Sequence, residues 1–223
     1  MLPPLLAPTP RLSSARPSAW KTAGAFGLVL LITLPWALLM TRFGNENIYP
    51  QLGPMAAAAL LVVAVAQPRR LHAWLTPSAP AIVIGVGVGI AMTALTYPLF
   101  HGAAWLLPRL NTDVAALYAG TGGASLSQSL AWVGVIVVAE EVLWRGVLLA
   151  ALREVLPSSW AIGLAVVSYA AAQLGTGSLL VVSIALGCGA LWTLQRLITG
   201  SALSAVISHV IWTPTVVLLY PVV

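Results

Sequence analysis

Charge is scarce in this sequence. Of its 223 residues only 7% are Asp, Glu, Lys or Arg, against about 25% in soluble domains. So few charges cannot cover a water-facing surface, and with 60% hydrophobic residues the chain reads as an integral membrane protein. Cysteine is almost missing. Cys188 stands alone in an apolar run, which excludes disulfides within the chain and metal sites built on cysteine. The basic residues leave a net charge of +5, but they are scattered at the ends of apolar runs. No basic patch with interleaved aromatics exists, and that excludes nucleic acid as a partner. There is no repeat of fixed period, and the two halves do not align in either orientation. Both absences argue against an inverted-repeat transporter. Nothing in the sequence signals an oligomeric state.

What is present is a succession of apolar runs. Residues 1–21 hold five prolines with Arg11, Arg16 and Lys21, and read as a disordered cytoplasmic tail. Residues 22–128 form a first set of membrane helices and loops, with spans at about 22–40, 53–67 and 81–100. The first span lacks a small-x-small cleavage site after it and is expected to stay as an anchor. A polar loop runs from Thr41 to Pro54, and residues 71–80, with His72 and Trp74, look interfacial. Gly85, Gly87 and Gly89 permit close helix approach in the third span. Gly122-Gly123 follows no strand, which argues against a phosphate-binding loop, while Asp113 to Tyr118 reads as a short surface helix. Residues 129–223 form the second set, with spans at about 129–152, 158–174, 178–197 and 201–223. Trp20, Trp74 and Trp160 fall near span ends, as interfacial anchors do. His72 and His101 read as solvated residues without a ligand role. The fold expected is an all-α bundle of about seven transmembrane helices. With the N-terminus inside, Arg11, Arg16, Lys21, Arg69, Arg70, Arg153 and Arg196 lie on the inner side, against Arg42 and Arg109 outside. That asymmetry fixes the expected topology as N-in, C-out.

One run breaks the apolar pattern. Between Leu130 and Leu152 stand Glu140, Glu141 and Arg145. Ionisable groups cost on the order of 2.5–3.5 kcal/mol each at membrane depth, so they are seldom carried there without a use. Glu141 and Arg145 are four apart and can neutralise each other on one helix face. Glu140 lies about 100° round the helix and is unmatched. The alternative is a buried ion network that only locks helices together. Later spans supply candidate partners. Tyr169 and Gln173 share one face of the fifth, and His209 and Thr213 share one face of the seventh. At 1.5 Å per residue, Glu140 and Gln173 count to about 24 Å from the cytoplasmic helix ends, whereas His209 counts nearer 12 Å.

Glu140-Glu141-x-x-x-Arg145, then Tyr169-x-x-x-Gln173, then His209-x-x-x-Thr213 resembles the CPBP family of type II CAAX-prenyl endopeptidases and bacteriocin-processing or immunity membrane proteins. The resemblance covers about residues 129–217. The family pattern is Glu-Glu-x-x-x-Arg, Phe-x-x-x-His and His-x-x-x-Asn, so Tyr169, Gln173 and Thr213 depart from it. What the resemblance implies is an intramembrane hydrolase in which Glu140 is the base, supported by Glu141 and Arg145. Gln173 stands where a second base would be, and His209 with Thr213 forms the oxyanion side. It also implies a membrane-associated peptide or protein substrate and a location in a bacterial cytoplasmic membrane. A divalent metal is sometimes associated with such proteins, with Glu140 and His209 as weak candidate ligands here. A neutral Gln oxygen, however, is a poor ligand for zinc.

Three functions follow as expectations. The first is a glutamate-type intramembrane endopeptidase. The second is a non-catalytic relative that binds a peptide or partner, as in bacteriocin immunity, and Gln173 favours it. The third is a proton-coupled transporter using Glu140 or Glu141 as relay, against which the missing repeat counts.

Overall fold

The computed structural model describes residues 18–43, 48–119 and 125–223. Most of the expected tail, with Arg11 and Arg16, lies outside them, as do Asn45 to Asn47 and the Gly122-Gly123 pair. The described residues are all-helical, without strands. In chain order the helices are α1 (Ala19–Phe43), α2 (Tyr49–Ala66), α3 (Pro68–Leu75), α4 (Ala79–Leu106), α5 (Arg109–Ala119), α6 (Leu126–Glu140), α7 (Leu149–Arg153), α8 (Ser158–Ala172), α9 (Leu179–Thr199) and α10 (Ala202–Pro214). Between α6 and α7 a π-helical segment, Glu141–Leu148, keeps the backbone continuous, so residues 126–153 form one rod. A second π-helical turn, Thr215–Leu219, follows α10.

Polar residues at the helix ends explain the breaks. Ser125 and Gln128 make a reciprocal capping box at the start of α6, satisfying donors the first turn leaves open. Single serine caps open three other helices, Ser78 on α4, Ser178 on α9 and Ser201 on α10. Gly200 ends α9 at φ 69°, a left-handed conformation that costs a Cβ-bearing residue strain.

Five of the described helices are long and apolar enough to cross a membrane: α1, α2, α4, α9 and the stretch Ala202–Leu219. The chain is therefore an integral membrane protein by its own composition and helix lengths. The rod 126–153 and the shorter α8 complete the bundle. α10 lies at its centre, packed most heavily on α4 and also on α9, α6 and the π-helical segment. Small residues set that contact. A Cβ on Gly85 would stand 2.8 Å from the Ser204 carbonyl, and one on Gly89 would stand 3.0 Å from the Ser208 Cα. Gly87 faces open space.

Trp74 departs from the interfacial expectation. Trp20 and Trp160 are exposed, at 73% and 72%, but Trp74 is 6% exposed. Its ring fills the space left by the missing side chain of Gly146, and its carbonyl accepts the Ser201 hydroxyl at 2.9 Å. α3 is thus tucked beneath the π-helical segment and ties down the start of α10. His72 and His101 are exposed on helices.

Candidate active site

All eight residues of the π-helical segment are buried. A π-turn holds one residue more than an α-turn and is found mostly at functional sites. Here it begins at Glu141, directly after Glu140, with both carboxylates inside the bundle.

Glu141 is fully buried, and one of its oxygens serves two partners. Arg145 Nη1 donates to Oε1 at 3.2 Å, and His209 Nδ1 lies 3.0 Å from the same atom. The sequence expectation that Glu141 and Arg145 pair is met geometrically. Arg145 Nη2 donates to the Gly189 carbonyl at 3.2 Å, and the guanidinium carbon stands 4.3 Å from the Tyr169 ring centre. Gly189 is needed there, since a Cβ would press on Tyr169 at 3.1 Å.

Glu140 is buried as well, and it is less free than its sequence position implied. The Tyr169 hydroxyl donates to Oε2 at 3.1 Å, and His209 Nε2 lies 3.8 Å from that oxygen. The imidazole therefore sits between the two carboxylates. Trp192 covers its face in a stack with centroids 3.6 Å apart and planes at 21°.

Straight-helix counting placed His209 too shallow. Tilt or a re-entrant start was needed to make up the difference. α10 begins inside the bundle, where the buried Ser201 meets Trp74. The eight residues to His209, at about 1.5 Å each, then carry it up to the level of the Glu pair.

Gln173 and Thr213 stay outside this network. Gln173 caps the C-terminus of α8 and is 7% exposed. Among the described residues its side chain has no hydrogen-bond partner, while its carbonyl accepts the Thr176 hydroxyl at 2.7 Å. The Thr213 hydroxyl is buried without a partner. Each stands one helical turn beyond a residue that does touch the Glu pair, Tyr169 and His209 respectively.

An aromatic wall, unforeseen from sequence, surrounds the four ionisable groups. Trp36 meets Trp144 edge to face at 5.3 Å, Trp144 meets Tyr169 at 5.4 Å, and Tyr169 meets Trp192 at 6.1 Å. The indole nitrogens of Trp36, Trp144 and Trp192 are buried and unpartnered.

With this arrangement in view, likeness to known proteins becomes informative. Residues 122–214 match the family model described as type II CAAX prenyl endopeptidase Rce1-like. The match spans under half of the chain, and over that stretch the chain resembles this family. The match takes in both carboxylates, Arg145, Tyr169, Gln173, His209 and Thr213, and leaves α1 to α5 outside it. The family is one of membrane proteases. No curated protein and no solved structure matches the chain.

The donor set around Glu140 does not assemble into a zinc site. Glu141 Oε1 is taken by Arg145 Nη1 and His209 Nδ1, which leaves His209 Nε2, the Glu140 carboxylate and Glu141 Oε2, the last on a carboxylate whose charge Arg145 already holds, and so a weakened ligand for zinc. Among the described residues no group of His, Cys, Asp and Glu has the arrangement to hold a metal ion.

Proposed function

We propose that the chain is an intramembrane endopeptidase of the glutamate type, acting on a membrane-associated peptide or protein in a bacterial cytoplasmic membrane. One observation carries the reading: a single buried imidazole stands between two buried carboxylates, Nδ1 3.0 Å from Glu141 and Nε2 3.8 Å from Glu140. Glu141, anchored by Arg145, orients the ring and stabilises it when both nitrogens carry protons, as a carboxylate behind a catalytic histidine does. With Glu140 ionised and His209 protonated, two negative charges face two positive ones. With the proton moved from Nε2 to Glu140, one of each remains. Both forms are neutral overall, so the cluster holds one mobile proton without an uncompensated charge in hydrocarbon.

Peptide hydrolysis starts from the first form, with Glu140 ionised and His209 protonated, and returns to it. As a water oxygen attacks the scissile carbonyl carbon, its proton passes to Glu140. The developing oxyanion takes the hydrogen bond of His209 Nε2–H. When the C–N bond breaks, the proton on Glu140 goes to the leaving amine, and the other product is the new carboxyl terminus. Thr213, with its unpartnered hydroxyl one turn from His209, is a second donor on the oxyanion side, and Gln173 can orient the water but cannot take its proton.

The test is a cleavage assay on purified full-length chain with membrane-associated peptides. Glu140→Gln keeps shape and hydrogen bonding but loses basicity. Loss of all cleavage at unchanged folded yield is the expected result, and retained cleavage removes Glu140 from the mechanism. A second reading, a partner-binding relative without catalysis, draws on Gln173. It gains the field if the wild type cleaves nothing while Gln173→His does.

A further inference from the structure

Trp192 and Gln195 stand three apart on α9 and so share one face, which is turned to α10. Both are buried, as are Ser204, Ser208 and His209 opposite them. The amide of Gln195 joins two turns of α10. Its Nε2 donates to the Ser204 hydroxyl at 3.2 Å and to the Ser204 carbonyl at 3.4 Å, and its Oε1 accepts the Ser208 hydroxyl at 2.8 Å. An amide met on both its nitrogen and its oxygen cannot flip without losing those bonds, and a satisfied buried network rigidifies what it joins. α4 presses on the same two turns, through Gly85 at the Ser204 carbonyl and Gly89 at the Ser208 Cα. The turn of α10 that ends at Ser208 is thus held against sliding, and His209 is the next residue.

Trp192 meets that next residue face to face, with ring centroids 3.6 Å apart and planes at 21°. Its indole N–H makes no hydrogen bond, so what the residue offers is its flat surface. The second side-chain torsion of a histidine is broad and roughly two-fold. The contact of Nδ1 with Glu141 selects one of the two orientations, and a flat partner on the ring narrows the swing that is left. Tryptophan is also the best aromatic partner for a cation, and the Arg145 guanidinium carbon stands 5.4 Å from the same ring. We infer that α9 positions His209: the face of Trp192 sets the plane of the imidazole, and the clip from Gln195 to Ser204 and Ser208 keeps that face in register, so that Nε2 stays aimed at the Glu140 side of the site. Both are positioning residues that touch no substrate atom. Trp192 acts on the ring itself, and Gln195 acts from one step further away, through Ser208. The kinetic part of this inference rests on the proteolytic reading above, whereas the stack and the clip do not.

The experiment therefore has two arms, both on the full-length chain in micelles. In the first, kcat per folded chain and KM are compared for Trp192→Leu, Trp192→Phe, Gln195→Met and, as a control, the exposed Trp160→Phe. Misplacing a catalytic group lowers turnover without weakening substrate binding, so kcat is expected to fall about 10- to 100-fold in Trp192→Leu and Gln195→Met with KM nearly unchanged. Trp192→Phe, which keeps a flat ring, recovers most of the loss, and Trp160→Phe matches wild type. In the second arm the ring-proton resonances of the three histidines are followed. His72 and His101 are exposed, whereas His209 lies over an indole whose ring current displaces its resonances upfield. That displacement is expected to vanish in Trp192→Leu and to change in Gln195→Met, where the tryptophan is still present. Wild-type kcat in either variant overturns the inference, and so does a His209 resonance that stays in place in Gln195→Met. Where Trp192→Leu fails to fold, Gln195→Met decides in its place. If the wild type cleaves nothing, the proteolytic reading falls on its own, and the His209 resonance alone decides whether α9 holds the imidazole.

Discussion

Glu141 Oε1 accepts from Arg145 and faces His209 Nδ1, while Oε2 has no partner. Everything that neutralises this carboxylate therefore arrives at one atom. Breaking a buried ion pair by removing one member costs about 3–5 kcal/mol, because the remaining charge is left uncompensated. Arg145→Ala should accordingly lower the melting temperature and membrane yield far more than Arg153→Ala, whose side chain is half-buried at the exit of the rod. Equal losses in one detergent would show that the Arg145 pair contributes little. The donor set makes a second prediction at this scale. With Glu141 tied to Arg145 and no metal-holding group among the described residues, cleavage should be insensitive to chelators, and reversible inhibition restored by added zinc would contradict it. Much of this chemistry was legible in the sequence, since charges in an apolar run are conspicuous and a spacing of four puts Glu141 beside Arg145. The aromatic wall was not legible. Tryptophan in a membrane protein is read by its nearness to span ends, and that rule says nothing about Trp36, Trp144 and Trp192, whose value comes from neighbours on other helices.

At the scale of elements, α4 and α10 carry the sharpest test. Gly85 and Gly89 touch the α10 backbone at Ser204 and Ser208, whereas Gly87, between them, meets nothing. Overpacking a tight contact costs roughly 1–3 kcal/mol. Gly85→Val and Gly89→Val should therefore each lower thermal stability by about that much, and reduce activity too, because Ser208 precedes His209. Gly87→Val should leave both unchanged. Thermal melts and the cleavage assay on the three variants check this, and a loss for Gly87→Val would point to a second surface on α4. The long helices were readable from hydropathy, though α4 runs on to Leu106, the short surface helix is longer than expected at Arg109–Ala119, and α3 was read only as an interfacial stretch. The π-helical segment was not. The choice between i→i+4 and i→i+5 bonding depends on what packs around the backbone, here Trp74 under Gly146 and His209 against Glu141, and neither is local in sequence.

For the whole molecule, the basic residues predict its orientation. Single-cysteine labelling in a Cys188→Ser background should find positions 69 and 70 accessible from the cytoplasm, and positions 45 and 113 from outside. Labelling of 69 and 70 from outside would invert the arrangement. Orientation leads to a question of voltage. A full elementary charge crossing the membrane responds with about 2.3 kcal/mol per 100 mV. A proton exchanged between His209 Nε2 and Glu140 Oε2 moves only 3.8 Å, within a hydrocarbon layer about 30 Å thick. Even aligned with the field, that step feels at most about 0.3 kcal/mol per 100 mV. The cluster is electrically almost silent: it should run at the same rate in energised and de-energised vesicles, as a hydrolase can and a proton-driven pump cannot.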